Sequence, residues 1–288
     1  LQKIENHTAY EKLNAVIRKE IDRNRSLRSR NQLKQISSKI IHDPLLKNES
    51  MALSVRARNS YYGFKNIYYS IIQDVEMNFF VCSKRVALIE EHPFLMESTE
   101  GYIGALSSLL IPCRELRKFD EFMATLRKLK NIPTKKEEHR MRILLLCYNN
   151  EIIYYIKTYA FEKGIRLIPE VKKCLKKYEL KINKVLRLVL YYNMAVLYIS
   201  VGNYKQALEN LNEILNTKEL NIREDLIGFV KILNLIVHLE LGNEDLLEYN
   251  VKSTNRFLYK KNQLYKFEHA ILRFIQKKIL KINSVIIE

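Results

Sequence analysis

Residues 191–208 read YYNMAVLYISVGNYKQAL and carry the clearest pattern in the chain. Apolar residues recur here at steps of three and four, which is typical of an amphipathic helix, and Gly202 interrupts the pattern. A glycine after the last periodic residue predicts a helix end in the left-handed conformation. Tyr204 then opens a second helical pattern, so two antiparallel helices joined by a short turn are expected. Ala195 and Ala207 are small enough to let these helices approach closely.

The same pattern recurs along the chain about every forty residues. Its marker is the aromatic or apolar residue expected to fill the gap between the two helices, as Tyr204 does at the start of the second helix. The marker positions are Val75, Phe119, Phe161, Tyr204 and Glu244, at spacings of 44, 42, 43 and 40 residues. Apolar or small residues follow the last four markers at helical steps, namely Phe122 and Leu126, Gly164 and Ile168, Ala207 and Leu211, and Leu247 and Val251. One helical hairpin cannot bury its apolar face alone, so the repetition predicts hairpins that stack along a continuous core.

Composition favours the same all-α class. The 288 residues include 7 Gly and 5 Pro, too few for the tight turns of a β-sandwich or barrel and for the phosphate loops of a doubly wound sheet. We therefore predict an α-α superhelix, a solenoid of antiparallel helical hairpins. The expected organisation is an N-terminal helical segment over 1–43, about five hairpins over 44–261, and a C-terminal capping helix over 262–288. That last helix is expected to face inward with Leu264, Phe267, Ile271 and Phe274, and to carry Lys266, Arg273, Lys277 and Lys278 on its polar side.

The repeated residues resemble the tetratricopeptide repeat family. The match is best over 188–217, where the family's pattern is met by Ala195, Tyr198, Gly202, Tyr204, Ala207 and Leu211. The units are longer than the family's, Glu219 stands where a proline usually closes the repeat, and Glu244 stands where an aromatic belongs. The resemblance implies an interaction module for scaffolding, cochaperone docking or peptide sensing. HEAT-like repeats remain an alternative at this period.

In that family the first helix of each pair lines a concave groove, and the resemblance carries this pattern to positions of this chain. The candidate peptide-binding residues are Arg114, Asn149, Lys157 and Tyr192. Asn can hydrogen-bond a peptide backbone in two directions, and Arg and Lys can bind a carboxylate. The wider groove set includes Ser60, Gly63, Ile67, Ser107, Ile111, Ile153, Val189, Val196, Ile199, Phe229, Ile232 and Ile236. For these residues, ordinary packing between helices is the alternative.

No pattern in the sequence indicates catalysis or a cofactor. The six histidines are scattered singly, without the HExxH or i, i+4 spacing of a metal site, and no GxSxG nucleophile motif occurs. The four cysteines form no CxxC pair and have apolar neighbours, which predicts buried free thiols and a reducing, cytoplasmic compartment. No apolar run approaches the roughly 20 residues of a membrane span. We expect a non-catalytic protein with no cofactor, no metal and no membrane partner.

The net charge of +17 leaves a second interpretation open. It arises from 49 Lys and Arg against 32 Asp and Glu, with dense basic segments at 18–40 and 172–187. Such a surface attracts nucleic acid, an acidic protein or an anionic membrane, whereas an AT-rich genome also enriches Lys, Asn, Ile and Tyr. The sequence predicts a scaffold that binds a peptide or protein segment in its groove. The alternative is a nucleic-acid-associated or transcription-regulatory module that uses its basic surface.

Overall fold

A computed structural model describes residues 1–23, 43–217, 224–261 and 266–285, and within these ranges the chain forms helices and no β-strand. The predicted all-α class is therefore confirmed. The chain divides into two compact units, Leu1–Cys147 and Tyr148–Glu288. Most of the basic segment 18–40 lies outside the described residues, as do Glu219 and Leu264.

The helices of the first unit are α1 (Gln2–Arg23), α2 (Val55–Ile72), α3 (Val75–Glu91), the short α4 (Pro93–Met96), α5 (Thr99–Glu115) and α6 (Phe119–Lys130). Two 3-10 helices, Pro44–Leu46 and Glu49–Met51, precede α2. The helix α7 (Glu137–Lys157) begins in the first unit and ends in the second. The second unit continues with α8 (Phe161–Lys177), α9 (Lys184–Ser200), α10 (Tyr204–Leu215), α11 (Glu224–Glu240), α12 (Glu244–Lys260) and α13 (Lys266–Val285).

Five short turns join successive helices into hairpins, and they share one backbone geometry. In each turn one residue has a positive φ, and the marker residue two positions later begins the second helix. The positive-φ residues are Gln73 (60°), Arg117 (56°), Tyr159 (57°), Gly202 (71°) and Gly242 (70°). All five markers are thus first residues of helices.

The hydrogen bonds of these turns are equally uniform. The residue after the positive-φ position donates its N–H to a carbonyl oxygen five residues earlier, which is the closing bond of a Schellman motif. The N to O distances are 3.0 Å from Asp74 to Tyr69, 2.8 Å from Lys118 to Cys113, 2.9 Å from Ala160 to Tyr155, 2.9 Å from Asn203 to Tyr198 and 3.0 Å from Asn243 to His238. Each first helix therefore ends with its last carbonyl groups satisfied in the same way.

The second helices bury the positions that the repeat predicted. The residues three and seven places after a marker are fully or almost fully buried in four hairpins: Phe122 and Leu126, Gly164 and Ile168, Ala207 and Leu211, and Leu247 and Val251. Ala195 on the facing helix α9 is also fully buried. The aromatic markers Phe119, Phe161 and Tyr204 are only half-buried, because they stand at the first position of their helices.

Within each unit, helices that follow one another in the chain pack side by side. In the first unit α1 contacts α2, α2 contacts α3, α3 contacts α5, and α5 contacts α6. In the second unit α8 to α13 contact one another in chain order, and α11 also contacts α9 and α13. Contacts between sequence neighbours are typical of helical repeats, because each repeat buries its apolar face against the next. The organisation is therefore helical-repeat-like.

The four cysteines are buried free thiols, as the sequence predicted. Burial disfavours the charged thiolate, so it raises the pKa of Cys82 and that of Cys113 to about 12, and it also raises the pKa of Cys174. These side chains therefore act as small apolar residues of the core.

The inward face predicted for the C-terminal helix is wrong at Phe267 and Phe274 and right at Ile271, which packs against the apolar cluster of α11 and α12. Phe267 and Phe274 are 63% and 55% exposed, whereas Leu272 and Ile275 are buried. Apolar residues occur on two faces of α13, and either face fits the helical period. The aliphatic side chains of Leu272 and Ile275 join the apolar cluster of α11 and α12, which turns both phenylalanines outward.

Candidate functional site

The four candidate peptide-binding residues lie in different parts of the fold. Arg114 is in the last turn of α5 and belongs to the first unit. Asn149 and Lys157 are on α7 and Tyr192 is on α9, and all three belong to the second unit. The second unit therefore holds three of the four residues on the first helices of two consecutive hairpins.

Arg114 is largely enclosed within the protein. Its side chain is 9% exposed, and its Nε lies 3.7 Å from Oε1 of Glu115. Burial lowers the pKa of the Arg114 guanidinium, and the neighbouring carboxylate of Glu115 opposes that shift. Little of this cation is open to a ligand in solution.

Asn149 connects two first helices in the second unit. Its Oδ1 accepts a hydrogen bond of 2.8 Å from Nδ2 of Asn193 on α9. Asn193 is 7% exposed and is a residue that the candidate set lacked. The signal for it was present, because Asn193 interrupts the apolar stripe of α9 and a buried amide on such a stripe requires a partner. The bond places α7 beside α9. Tyr192, the residue before Asn193, is half-buried.

Two positions of the first helices recur in register with the markers. Twelve residues before each marker stand Gly63, Ser107, Asn149, Tyr192 and Ile232, which differ in chemistry. Eight residues before each marker stand Ile67, Ile111, Ile153, Val196 and Ile236, which are all β-branched aliphatic residues. None of these five is fully buried, and Ile111 is 50% exposed. We call Ile153, Val196 and Ile236 the aliphatic row of the second unit.

The helices that carry this row are neighbours. The Asn149–Asn193 hydrogen bond joins α7 to α9, and α9 contacts α11. Each of the three residues stands eight positions before its marker, and the turns before these markers share one backbone geometry. The three residues therefore lie at the same level along their neighbouring helices. Ile236 also packs against the apolar cluster of α11, α12 and α13. The exposed parts of the row can supply an apolar strip, beside which Asn149 and Tyr192 supply polar groups.

The wider groove set is not uniformly open. Ser60 is 6% exposed, its Oγ donates to Oε1 of Glu11 at 2.5 Å, and its carbonyl accepts from Nδ2 of Asn14 at 3.0 Å. Both partners are on α1, so this helix covers the face of α2 that Ser60 occupies. Gly63 is buried beside the guanidinium of Arg85. These two positions serve packing within the first unit.

The basic segment 172–187 lies partly in a cleft of about 620 Å³ between α8, α9 and α10. Its cations Lys172, Lys176 and Arg187 share the cleft with Glu179, Glu209 and Glu213. Arg187 lies between two of these acids, with Nη1 3.7 Å from Glu179 Oε1 and Nη2 3.8 Å from Glu213 Oε2. Within the cleft, three acidic side chains therefore face three of the seven cations of this segment.

No protein-family model matches the chain, and no curated protein matches it in sequence. None of the helices in the described ranges is long and apolar enough to cross a membrane. Among the residues placed by the structure, no group of three or more His, Cys, Asp or Glu side chains could hold a metal ion.

Proposed function

We propose that the protein is a non-catalytic, tetratricopeptide-like scaffold, and that the first helices of its second unit bind a peptide or protein segment. The observation that carries the proposal is the aliphatic row at one repeat position, with Asn149 and Tyr192 beside it. Repeat proteins use the aligned faces of successive helices as extended binding surfaces. A solenoid of stacked hairpins is the arrangement that would make the row continuous, and it belongs to the proposal.

In this proposal the row supplies apolar contact, while the amide of Asn149, the phenol of Tyr192 and the ammonium of Lys157 give direction to a bound backbone. Lys157 is exposed at the end of α7, where a cation also suits the negative end of the helix dipole. Arg114 belongs to the first unit and is largely enclosed, so it is not part of the proposed surface.

The test is a selection of random displayed peptides against the full chain, followed by affinity measurements on the enriched peptides. Val196→Asp places a charge in the row and should weaken their binding at least about tenfold, which is about 1.4 kcal/mol. Val201→Asp is the matched control, because Val201 is 38% exposed in the turn after α9 and lies outside the row. Failure to enrich any peptide, or equal losses in both variants, would contradict the proposal.

The alternative function, association with nucleic acid, draws its support from the net charge. The segment 172–187 supports it weakly because Glu179, Glu209 and Glu213 lie among its cations. A different surface, on the last two helices, favours it more specifically.

A further inference from the structure

The outer faces of α12 and α13 carry four strongly exposed aromatic side chains. Tyr249 and Tyr259 on α12 are 74% and 77% exposed, and Phe267 and Phe274 on α13 are 63% and 55% exposed. The opposite faces of both helices are well buried through Leu247, Val251, Leu258, Leu272 and Ile275. The four exposed rings therefore contribute little to packing within the described part of the chain.

Positive charge surrounds Tyr259, Phe267 and Phe274, whereas Tyr249 lies beside the exposed Glu248, whose Oε1 accepts a hydrogen bond of 2.6 Å from Nζ of Lys252. Eight Lys and Arg residues and a single acid, Glu268, occur from 252 to 278, and Glu268 is 4% exposed. A shallow cleft of about 510 Å³ runs along α13 and is lined by Lys266, His269, Ala270, Arg273, Phe274 and Lys277. The Nζ of Lys278 lies 5.8 Å from the centroid of the Phe274 ring. In contrast to the cleft at 172–187, no exposed carboxylate lies among the described side chains of this stretch.

We propose that the outer face of α13 binds single-stranded nucleic acid. Lys266, Arg273 and Lys277 would bind phosphates, and bases would stack on Phe267 and Phe274. A positively charged track with exposed aromatic rings is the arrangement by which proteins bind single strands without sequence preference.

The aromatic rings favour a single strand over other anionic partners. Phe267 and Phe274 are seven residues apart and so lie on the same side of α13, about 10 Å apart along its axis. A duplex keeps its bases stacked inside and offers phosphates but few free base faces, whereas a single strand offers both. An acidic peptide would pair with the cations, but its backbone and carboxylates have no flat faces that stack on two exposed aromatic rings.

The experiment measures fluorescence anisotropy of labelled oligothymidine and oligouridine of about 16 nucleotides with the full chain. Titrations at about 50 mM and about 200 mM salt give the number of phosphate contacts from the salt dependence. The wild-type chain should bind both strands and lose affinity at the higher salt. The two strands distinguish DNA from RNA, and binding of either supports the proposal.

Two double variants separate stacking from charge. Phe267→Ala/Phe274→Ala should weaken binding at least about tenfold and leave the salt slope unchanged. Arg273→Gln/Lys277→Gln should weaken binding and reduce the slope by about 0.7 per charge removed. All four side chains are exposed, so the variants should keep the wild-type circular dichroism and melting temperature.

Phe80→Ala is the matched control. Phe80 is 52% exposed, and Nζ of Lys84 lies 5.8 Å from its ring centroid, as Lys278 does at Phe274. Phe80 lies in the first unit, so this substitution should leave affinity unchanged.

Several results would overturn the proposal. One is an unchanged affinity in the phenylalanine variant, since a merely electrostatic surface responds only to loss of charge. Another is equal affinity for a duplex of the same length. A third is tighter binding to phosphatidylserine vesicles or polyglutamate than to either strand, which would assign the face to a lipid surface or an acidic protein.

Discussion

The turn at Arg117 in the first unit and the turn at Gly202 in the second have nearly the same backbone but different sequences. Their positive φ angles are 56° and 71°, and their closing hydrogen bonds are 2.8 Å and 2.9 Å. Glycine adopts this conformation without steric cost, whereas arginine does not. The comparison shows that the hairpin shape persists where its most favourable residue is absent, because the closing hydrogen bonds and helix packing hold the turn.

The same contrast occurs where the two helices of a hairpin cross. Three residues after the marker stand Phe122 in one hairpin, Gly164 in the next and Ala207 in the one after, and all three are buried. The space at this position therefore differs between the hairpins. At Gly164 the neighbours are Tyr155 on the facing helix α7 and Leu197 on α9 of the next hairpin.

The largest expected effect tests that spacing. A Cβ at Gly164 would lie 2.7 Å from Cδ2 of Leu197 and 3.3 Å from Cβ of Tyr155. Leu197 is fully buried on α9, so its terminal methyl groups must shift within the core to admit the new Cβ. We expect Gly164→Ala, which installs the residue of the following hairpin, to reduce the free energy of unfolding by about 2 kcal/mol in urea titrations.

Gly104→Ala is the control for that substitution. Gly104 is also inside a helix, but a Cβ there meets no atom within 4 Å. Alanine is the better helix former, so this variant should gain up to about 1 kcal/mol. A loss in both variants would show that the helical backbone, not the approach of Leu197, requires glycine.

The next effect is smaller and concerns the turns themselves. Arg117→Gly should stabilise the first unit by about 1 kcal/mol, since it relieves a left-handed side chain that is exposed. Gly202→Ala should destabilise the second unit by a similar amount. Thermal and urea unfolding of the two variants measure both changes. If both substitutions stabilise the protein, or both destabilise it, the positive φ does not determine the stability of either turn.

The sequence predicted those features that depend on spacing. The five markers, the buried positions after them and the free cysteines followed from periodicity and composition. The outward face of Phe267 and Phe274 did not, because α13 carries two apolar faces and the choice between them depends on which one meets α11 and α12. The Asn149–Asn193 bond also depends on which helices become neighbours, and the pattern within one helix does not contain that information.

The smallest expected effect is a pH dependence of stability that is present at the turn of Gly242 and absent at the turn of Gly202. Tyr198 and His238 accept the closing hydrogen bonds of these turns through their carbonyl groups, but only His238 titrates near neutral pH. The His238 side chain is 8% exposed, and burial lowers its pKa from the usual 6.5. Its Nδ1 lies 3.0 Å from Nδ2 of Asn243, so the neutral ring accepts a hydrogen bond from that amide.

Because the folded state binds the His238 proton less readily than the unfolded state, the contribution of His238 to stability is present above about pH 6.5. It is lost as the pH falls below that value and through the lower pKa of the folded state. We expect the unfolding free energy of the wild type to fall more than that of His238→Gln when urea titrations at pH 7.5, 6.5 and 5.5 are compared. The other five histidines are present in both proteins, so the difference isolates the turn at Gly242. Parallel pH dependences would show that protonation of His238 is tolerated in the folded state.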